Sequence, residues 1–222
     1  MTTHSSIARD ISYAHSASSK GGRALIRMME NATGRISLIR RAAGYEQDLA
    51  RGRDFLQVMV ERYGLSLDIV RGALDLIPRE GLLILIANHP YGILDGLMLG
   101  HILSRARGDV RILARHVFCK APDLARAILP IYFDGHTSRM FQIASHLHYT
   151  LRMGLLIKEF AKRVDKPVRV AVGQPIPARQ IAAQAGDGKA MMDFLRKATY
   201  DLSATPHRSC EYGVEFEQKH RA

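Results

Sequence analysis

Tryptophan is absent from the 222-residue chain, cysteine occurs only twice, and aromatic residues make up 7% of the sequence. The two cysteines, Cys119 and Cys210, are too few for a disulfide framework and lack the spacing of zinc ligands, which favours a reducing compartment. No basic strand carries clustered aromatic residues, and no nucleic-acid recognition motif is present. A specific nucleic-acid partner is therefore not expected.

Long apolar runs are also missing. The longest strongly apolar segment, Gly81 to Ala87, is far shorter than the ~20 residues that a transmembrane helix needs. Residues 1–23 lack the apolar centre of a secretory signal, although their Ser-rich, acid-poor composition faintly resembles a transit peptide. We therefore expect a cytoplasmic protein with a loose N-terminal tail.

Acidic residues are scarce, with 21 against 32 basic ones, so the formal net charge is +11 and the isoelectric point is near 10.0. Residues 81–166 hold 12 of the basic and 6 of the acidic side chains, which concentrates the excess in the middle of the chain. This charge favours anionic partners: nucleic acid, an anionic membrane surface or phosphorylated ligands. The 47% of hydrophobic residues is typical of a globular protein.

Apolar periodicity predicts two N-terminal helices followed by alternating strands and helices. The predicted helices span 23–43, 45–63, 94–104, 140–164 and 189–202, with a helical turn at 122–128. The predicted strands span 82–87, 110–114, 129–133 and 168–172. This order predicts an α/β fold, a mixed and partly parallel sheet covered by helices.

The same pattern predicts the domain organisation. We expect a flexible tail at 1–22, a single α/β domain at 23–203 and an irregular C-terminal tail at 204–222. Within the domain, residues 23–64 are expected to form a helical extension. The predicted helix 140–164 is amphipathic and basic, so it either covers the sheet, which is the favoured interpretation, or lies in a lipid interface.

One segment combines an apolar strand with chemically active side chains. The run Ile84 to Ala87 leads to His89 at the carboxyl end of the strand, where ligands bind in open α/β sheets. Asp95 follows six residues later, and on one helix the two side chains would point ~240° apart. Pro90 and Gly92 allow the chain to fold back between them. A carboxylate that reaches the imidazole would orient it and raise its basicity, as a general base requires.

This segment has no Ser or Cys nucleophile, so the imidazole would activate a hydroxyl of the substrate. Two other interpretations stay open: His89 and Asp95 are a structural pair, or Asp95 caps the helix that follows. A metal site made of His89, Asp95 and His101 is disfavoured, because six-residue steps do not place three side chains on one face. No metal is therefore expected.

The segment 88–96, with the sequence NHPYGILDG, resembles the first block of the glycerolipid and lysophospholipid acyltransferase family. Most members have four residues between His and Asp, and the five found here are similar to a bacterial branch called hemolysin-like or lyso-ornithine-lipid acyltransferases. Segment 131–139 resembles the late strand of that branch and its Asn/Thr-Ser-Arg turn. Segments 154–160 and 167–176 resemble its closing helix and strand.

The resemblance implies a glycerol-3-phosphate acyltransferase-like fold and a function in phospholipid biosynthesis. A fatty acyl group would move from a thioester, on coenzyme A or acyl carrier protein, to the hydroxyl of a lysophospholipid or similar lysolipid. His89 would be the catalytic base and Asp95 its orienting partner, while Asn88 and Gly92 would shape the turn. The candidate substrate-binding residues are Asn88, Gly92, Arg115, Lys120 and Arg139. No bound cofactor is expected, and the protein would contact the cytoplasmic face of the inner membrane peripherally.

One part of the family pattern is missing. Members carry a Gly-rich Phe-Pro-x-Gly block, which helps to hold the phosphate or head group of the acceptor. Here the segment 128–131, which resembles the strand before that block, runs directly into 132–135, which resembles the part after it. We infer an internal deletion of at least one β/α unit, which predicts weakened or absent activity. The alternative function is a non-catalytic basic α/β module that binds membranes or nucleic acid.

Overall fold

The sheet of this protein is mixed and partly parallel. A computed structural model describes residues 11–81, 83–107, 127–183 and 186–204. Its strands are β1 (Ser66–Arg71), β2 (Leu83–Ala87), β3 (Ala127–Phe133), β4 (Pro167–Val172) and β5 (Ile176–Pro177). Their order is β1-β4-β3-β2, with β5 also paired to β3. Strand β3 runs parallel to β2 and antiparallel to β4 and β5, which confirms the predicted α/β fold.

Helices make up most of the remaining described structure. They are α1 (Lys20–Thr33), α2 (Arg35–Ala42), α3 (Tyr45–Ala50), α4 (Phe55–Arg62), α5 (Ile93–Arg107), α6 (Arg139–Leu147), α7 (Tyr149–Ala161), α8 (Ala178–Ala182) and α9 (Gly188–Tyr200). Short 3-10 helices lie at Ala14–Ser16 and Leu74–Leu76. Helices α1 to α4 all precede β1, which confirms the predicted helical N-terminal region.

Both predicted N-terminal helices, 23–43 and 45–63, are wrong as continuous helices. The first is broken at Gly34, whose φ of +130° ends α1 and begins α2. The second is broken between α3 and α4, where Gly52 has a φ of +81°. Positive φ angles suit glycine because it has no Cβ, so the chain turns sharply at these residues while the apolar periodicity continues through them.

The predicted helix 140–164 is likewise two helices. Its break is at His148, which has an extended backbone with φ −163° and ψ 138°. The His148 side chain accepts a hydrogen bond from the Thr150 amide (3.1 Å) and so caps the start of α7. The apolar side chains that one long stripe would have aligned are therefore divided between two helix directions.

The strand predictions need two corrections. Strands β1 and β5 are not predicted by the sequence, and the apolar strand β2, expected from its continuous apolar run to be buried, is half-buried along its whole length. Within the described sheet, β2 stands at the end of the strand order beside β3, which accounts for its partial exposure. The predicted strand 110–114 lies outside the described residues, as does most of the predicted turn 122–128, whose last two residues belong to β3.

The chain divides into two compact units. The first comprises Met1–Asp68, His89–Ile112 and Gly135–Arg169, and the second comprises Ile69–Asn88, Leu113–Asp134 and Val170–Ala222. In the second unit, α9 packs on β3 through an apolar cluster. This cluster contains the buried residues Ile128, Ile176, Ile181 and Leu195. The predicted single domain at 23–203 stays a prediction.

In the first unit, α1 packs closely against α7. Ile26 and Met153 join Ala14 and Ala17 in one buried cluster. Gly154 makes the close approach possible, because a Cβ at this residue would lie 2.8 Å from the sulfur of Met29. The 3-10 helix at Ala14–Ser16 is therefore part of the packed structure around α1.

A buried carboxylate anchors the segment that precedes α1. Glu30 is fully buried, and its two oxygens accept hydrogen bonds from the Ser12 hydroxyl (2.6 Å) and the Tyr13 amide (2.5 Å). Arg35 adds a bond from its Nε to the Ile11 carbonyl (2.8 Å). Within the predicted tail 1–22, the segment from Ile11 to Ala17 is thus fixed to the helices.

Replacing Glu30 with Gln should lower the free energy of unfolding by about 1–3 kcal/mol, because the amide keeps one accepting oxygen and its nitrogen donates, so one of the two hydrogen bonds is lost. Urea denaturation of both proteins measures the difference. The matched control is Glu46→Gln on an exposed residue of α3, which should change stability by less than about 0.5 kcal/mol. Equal effects of the two substitutions would contradict the anchoring role.

Candidate active site

The side chain of Asn88 fastens the end of β2 to β3. Its Oδ1 accepts a hydrogen bond from the Phe133 amide (2.6 Å), and its Nδ2 donates one to the Phe133 carbonyl (2.9 Å). These two hydrogen bonds extend the parallel pairing beyond the last strand residue, Ala87. The predicted roles of Asn88, in shaping the turn and in contacting substrate, both stay predictions.

The chain reverses direction between β2 and α5 at Gly92. This residue has a φ of +70°, and a Cβ there would lie 2.5 Å from the Tyr13 hydroxyl. The Asp95 amide donates to the Gly92 carbonyl (3.1 Å), which closes the first turn of α5. Glycine is therefore required at this position by both backbone conformation and space.

The turn brings His89 and Asp95 together. The distance from His89 Nδ1 to Asp95 Oδ2 is 3.1 Å, and the His89 side chain is 69% exposed while that of Asp95 is 1% exposed. The same Oδ2 accepts a hydrogen bond from the Tyr91 amide (2.7 Å). Asp95 thus binds the imidazole and accepts a hydrogen bond from a backbone amide ahead of α5, while its catalytic role stays a prediction.

The pairing fixes the chemistry of the imidazole. When Nδ1 donates its proton to Asp95, Nε2 is left as the basic nitrogen of an exposed ring. The hydrogen bond to Asp95 raises the pKa of His89, against a smaller opposing effect of burial. Burial raises the pKa of Asp95, and this is opposed by the hydrogen bonds from His89 and Tyr91.

Tyr13 contributes to the turn from far away in the sequence. Its hydroxyl accepts a hydrogen bond from the Ile93 amide (3.0 Å), at the first residue of α5. Burial, the largest cause, raises the pKa of Tyr13 to about 12, so the hydroxyl stays protonated at neutral pH. The sequence gives no signal for this contact, because a single tyrosine in a Ser-rich segment carries no motif.

The remaining predicted site residues do not join this pair. Arg115 and Lys120 lie outside the described residues, and Arg139 is exposed at the start of α6. His101 is buried in α5, and burial, more than the nearby Arg105, lowers its pKa. In the described ranges, no three His, Cys, Asp or Glu residues are grouped so that they could hold a metal ion.

None of the described helices has the length and apolar character needed to cross a membrane.

Replacing Asp95 with Asn should lower the pKa of His89, because the carboxylate is the main cause of its elevation and burial would then act alone. NMR titration of the His89 ring proton measures the midpoint. Asp193→Asn, an exposed carboxylate of α9, removes the same charge elsewhere and should leave that midpoint in place.

The free energy of unfolding should also depend on pH differently in wild type and in Asp95→Asn. A raised histidine pKa stabilises the fold fully below the unfolded value of about 6.5, and this contribution is lost as the pH rises through the folded pKa. As the pH rises from about 6.5 through the folded pKa of His89, wild type should lose more stability than Asp95→Asn. Identical His89 midpoints in the two proteins would show that the pair is not coupled.

Two curated proteins are similar to part of the chain. Both are named lyso-glycine lipid O-acyltransferase, and they come from Phocaeicola vulgatus and Bacteroides thetaiotaomicron. They are 34% and 33% identical to this chain over 91 residues, which is 40% of the chain. The match spans about a third of each relative, 32% and 33% of their lengths.

No family model matches the chain, and no solved structure matches it. The resemblance to lysolipid acyltransferases that the sequence predicts is nevertheless confirmed by the two named relatives.

Proposed function

We propose that this protein is an O-acyltransferase that moves a fatty acyl group from a thioester to the hydroxyl of a lysolipid. The observation that carries the proposal is the exposed imidazole of His89, bonded through Nδ1 to the buried carboxylate of Asp95. The similarity to two lyso-glycine lipid O-acyltransferases supports the same reaction. Acyl-coenzyme A and acyl carrier protein are both suitable donors.

The pair would act as a general base in a direct transfer. Nε2 of His89 takes the proton of the acceptor hydroxyl while the oxygen attacks the thioester carbonyl. Asp95 stabilises the imidazolium that forms. Collapse of the tetrahedral intermediate forms the ester and breaks the carbon–sulfur bond. The leaving thiolate then takes the proton from the imidazolium, which releases a free thiol and restores neutral His89.

We further propose that the activity is weaker than that of relatives with the Gly-rich block. Strand β3 supports this proposal because residues 127–131 pair with β2 and residues 131–133 pair with β4. The segments that resemble the parts before and after the block are thus one continuous strand. This continuous strand leaves no room for the block between the two segments.

We propose that helix α6 contacts the cytoplasmic face of the membrane peripherally. One side of α6 buries Phe141 and Ala144 against α7. The other side exposes the three residues that we call the α6 apolar face: Met140 at 44%, Ile143 at 60% and Leu147 at 69%.

The charge around this face favours an anionic bilayer as its partner. The Lys158 ammonium lies 3.8 Å from the sulfur of Met140, and Arg139 and Arg152 are exposed nearby in the sequence. Interfacial helices typically insert apolar side chains into the bilayer interface and direct cations toward the lipid headgroups. The net charge of +11 adds a long-range attraction to the same surface.

Replacing His89 with Ala should reduce acyl transfer by about 10²–10⁴-fold, the usual contribution of a general base. The assay uses acyl-coenzyme A or acyl carrier protein as donor and lyso-glycine lipid or a lysophospholipid as acceptor. The control His148→Asn replaces the ring nitrogen that caps α7 with a side-chain oxygen that can also cap it, and it should retain activity. Turnover by His89→Ala equal to that of wild type would refute the mechanism.

The wild-type rate in the same assay tests the deletion. Turnover far below that of the two relatives would agree with an impaired enzyme. A comparable rate would show that the Gly-rich block is dispensable. Absence of turnover with all donors and acceptors would instead favour the alternative function, a non-catalytic basic module.

The double substitution Ile143→Ser and Leu147→Ser should weaken binding to vesicles that contain anionic lipid by about tenfold or more, because two exposed apolar side chains no longer enter the bilayer. Co-sedimentation with phosphatidylglycerol-containing vesicles measures the effect. Met192→Ser, which removes an apolar side chain of α9 that is 57% exposed, is the matched control and should bind normally. Binding that ignores the anionic lipid content would contradict the electrostatic part.

A further inference from the structure

A basic groove in the first unit plays no part in the mechanism above. It lies between the turn after β3 and the end of α7, and its volume is about 400 Å³. We call it the α7 groove, lined by His136, Thr137, Ser138, Glu159, Lys162, Arg163 and Lys166.

The α7 groove has an excess of positive charge. Lys162, Arg163 and Lys166 contribute three cations, and Glu159 contributes the one carboxylate of the lining. Lys162 and Lys166 are exposed, so both ammonium groups are accessible to a solute. Three positive charges against one negative charge leave a net charge of +2, with His136 taken as neutral.

Glu159 contributes a negative charge to the groove and also positions the residues that line it. Its side chain is almost fully buried and accepts hydrogen bonds from the Ser138 amide (2.9 Å) and hydroxyl (2.6 Å). The Lys162 ammonium lies 3.3 Å from the same carboxylate. These contacts hold the turn against α7 and thereby fix the shape of the groove. Arg163 and Lys166 are left as the cations that Glu159 does not contact.

The groove is joined to the candidate catalytic pair through Tyr91. The Arg163 guanidinium lies 4.2 Å above the centre of the Tyr91 ring, a cation–π contact. Gly135, with a φ of +156°, has no room for a Cβ because the Tyr91 hydroxyl fills that space. The Tyr91 amide in turn donates to Asp95 (2.7 Å). One residue therefore contacts the groove, the turn after β3 and the carboxylate that orients His89.

We propose that the α7 groove binds the anionic group, a phosphate or carboxylate, of one of the two substrates. This inference rests on the proposed acyltransferase function. The ammonium groups and the Arg163 fork suit phosphate and carboxylate oxygens, and the Ser138 and Thr137 side chains supply neutral hydroxyls. Two sources share this chemistry: the headgroup of the acceptor lipid, and the phosphates of coenzyme A or of the carrier protein's phosphopantetheine.

NMR titration of the ¹⁵N-labelled full chain tests the proposal without turnover. The probes are inorganic phosphate, coenzyme A as the donor source and N-acetylglycine as a carboxylate headgroup, all at one ionic strength because exposed charges are screened. We expect saturable shifts of the amides at 136–138 and 162–166. Lys166→Glu should weaken binding by about tenfold, since it replaces attraction by repulsion.

The control Lys189→Glu makes the same charge change on an exposed residue of α9 and should leave the affinity unchanged. Saturable groove shifts with coenzyme A would assign the groove to the donor, and shifts with N-acetylglycine would assign it to the acceptor headgroup. Absence of saturable shifts with all three probes, or an equal loss of affinity in Lys189→Glu, would overturn the proposal.

The experiment also separates this inference from the proposed function. If the protein is inactive but still binds the probes in the groove, the anion-site proposal stands and the acyltransferase proposal is refuted. An active protein whose groove amides do not respond would retain the transferase and refute the anion site.

Discussion

The contact between the buried carboxylate of Asp95 and the exposed imidazole of His89 is the constraint on which the rest of the site depends. Neither residue alone gives the arrangement, because they are six apart and separated by a helix start. Gly92 provides the positive φ that reverses the chain, and the Tyr91 amide holds the carboxylate in place. Asn88 fixes the backbone just before His89 through its two bonds to Phe133.

The asymmetric exposure of the pair follows from its chemistry. A buried carboxylate is costly unless it is hydrogen-bonded, and Asp95 Oδ2 meets this condition with one imidazole and one backbone amide, while its Oδ1 is buried without a hydrogen-bond partner among the described residues. Burial raises the pKa of Asp95, whereas the bond to His89 lowers it, so the pair is most strongly coupled when the imidazole is charged. A base that gains stabilisation on protonation is what proton removal from an alcohol requires.

The sequence predicts the strands β2, β3 and β4, most of the helical segments and the turn between His89 and Asp95, since these depend on local signals: apolar runs, Pro90 and Gly92. It does not predict the breaks at Gly34 and His148, because the apolar periodicity continues through both residues. Contacts between distant segments carry no local signal at all. Tyr13 reaches Ile93 across 80 residues, and the α7 groove joins a turn to a helix end more than 20 residues later.

One turn of the first unit links the α7 groove to helix α6. Ser138 lines the α7 groove, and its hydroxyl also accepts a hydrogen bond from the Phe141 amide, which caps α6. The helix that carries the α6 apolar face therefore begins at the rim of the basic groove. If the groove binds the acceptor, an anionic headgroup there would place the apolar chain of the lipid near the α6 apolar face. In the proposed transferase, cations at the end of α7 would supply the electrostatic role that the resemblance assigns to the Gly-rich block.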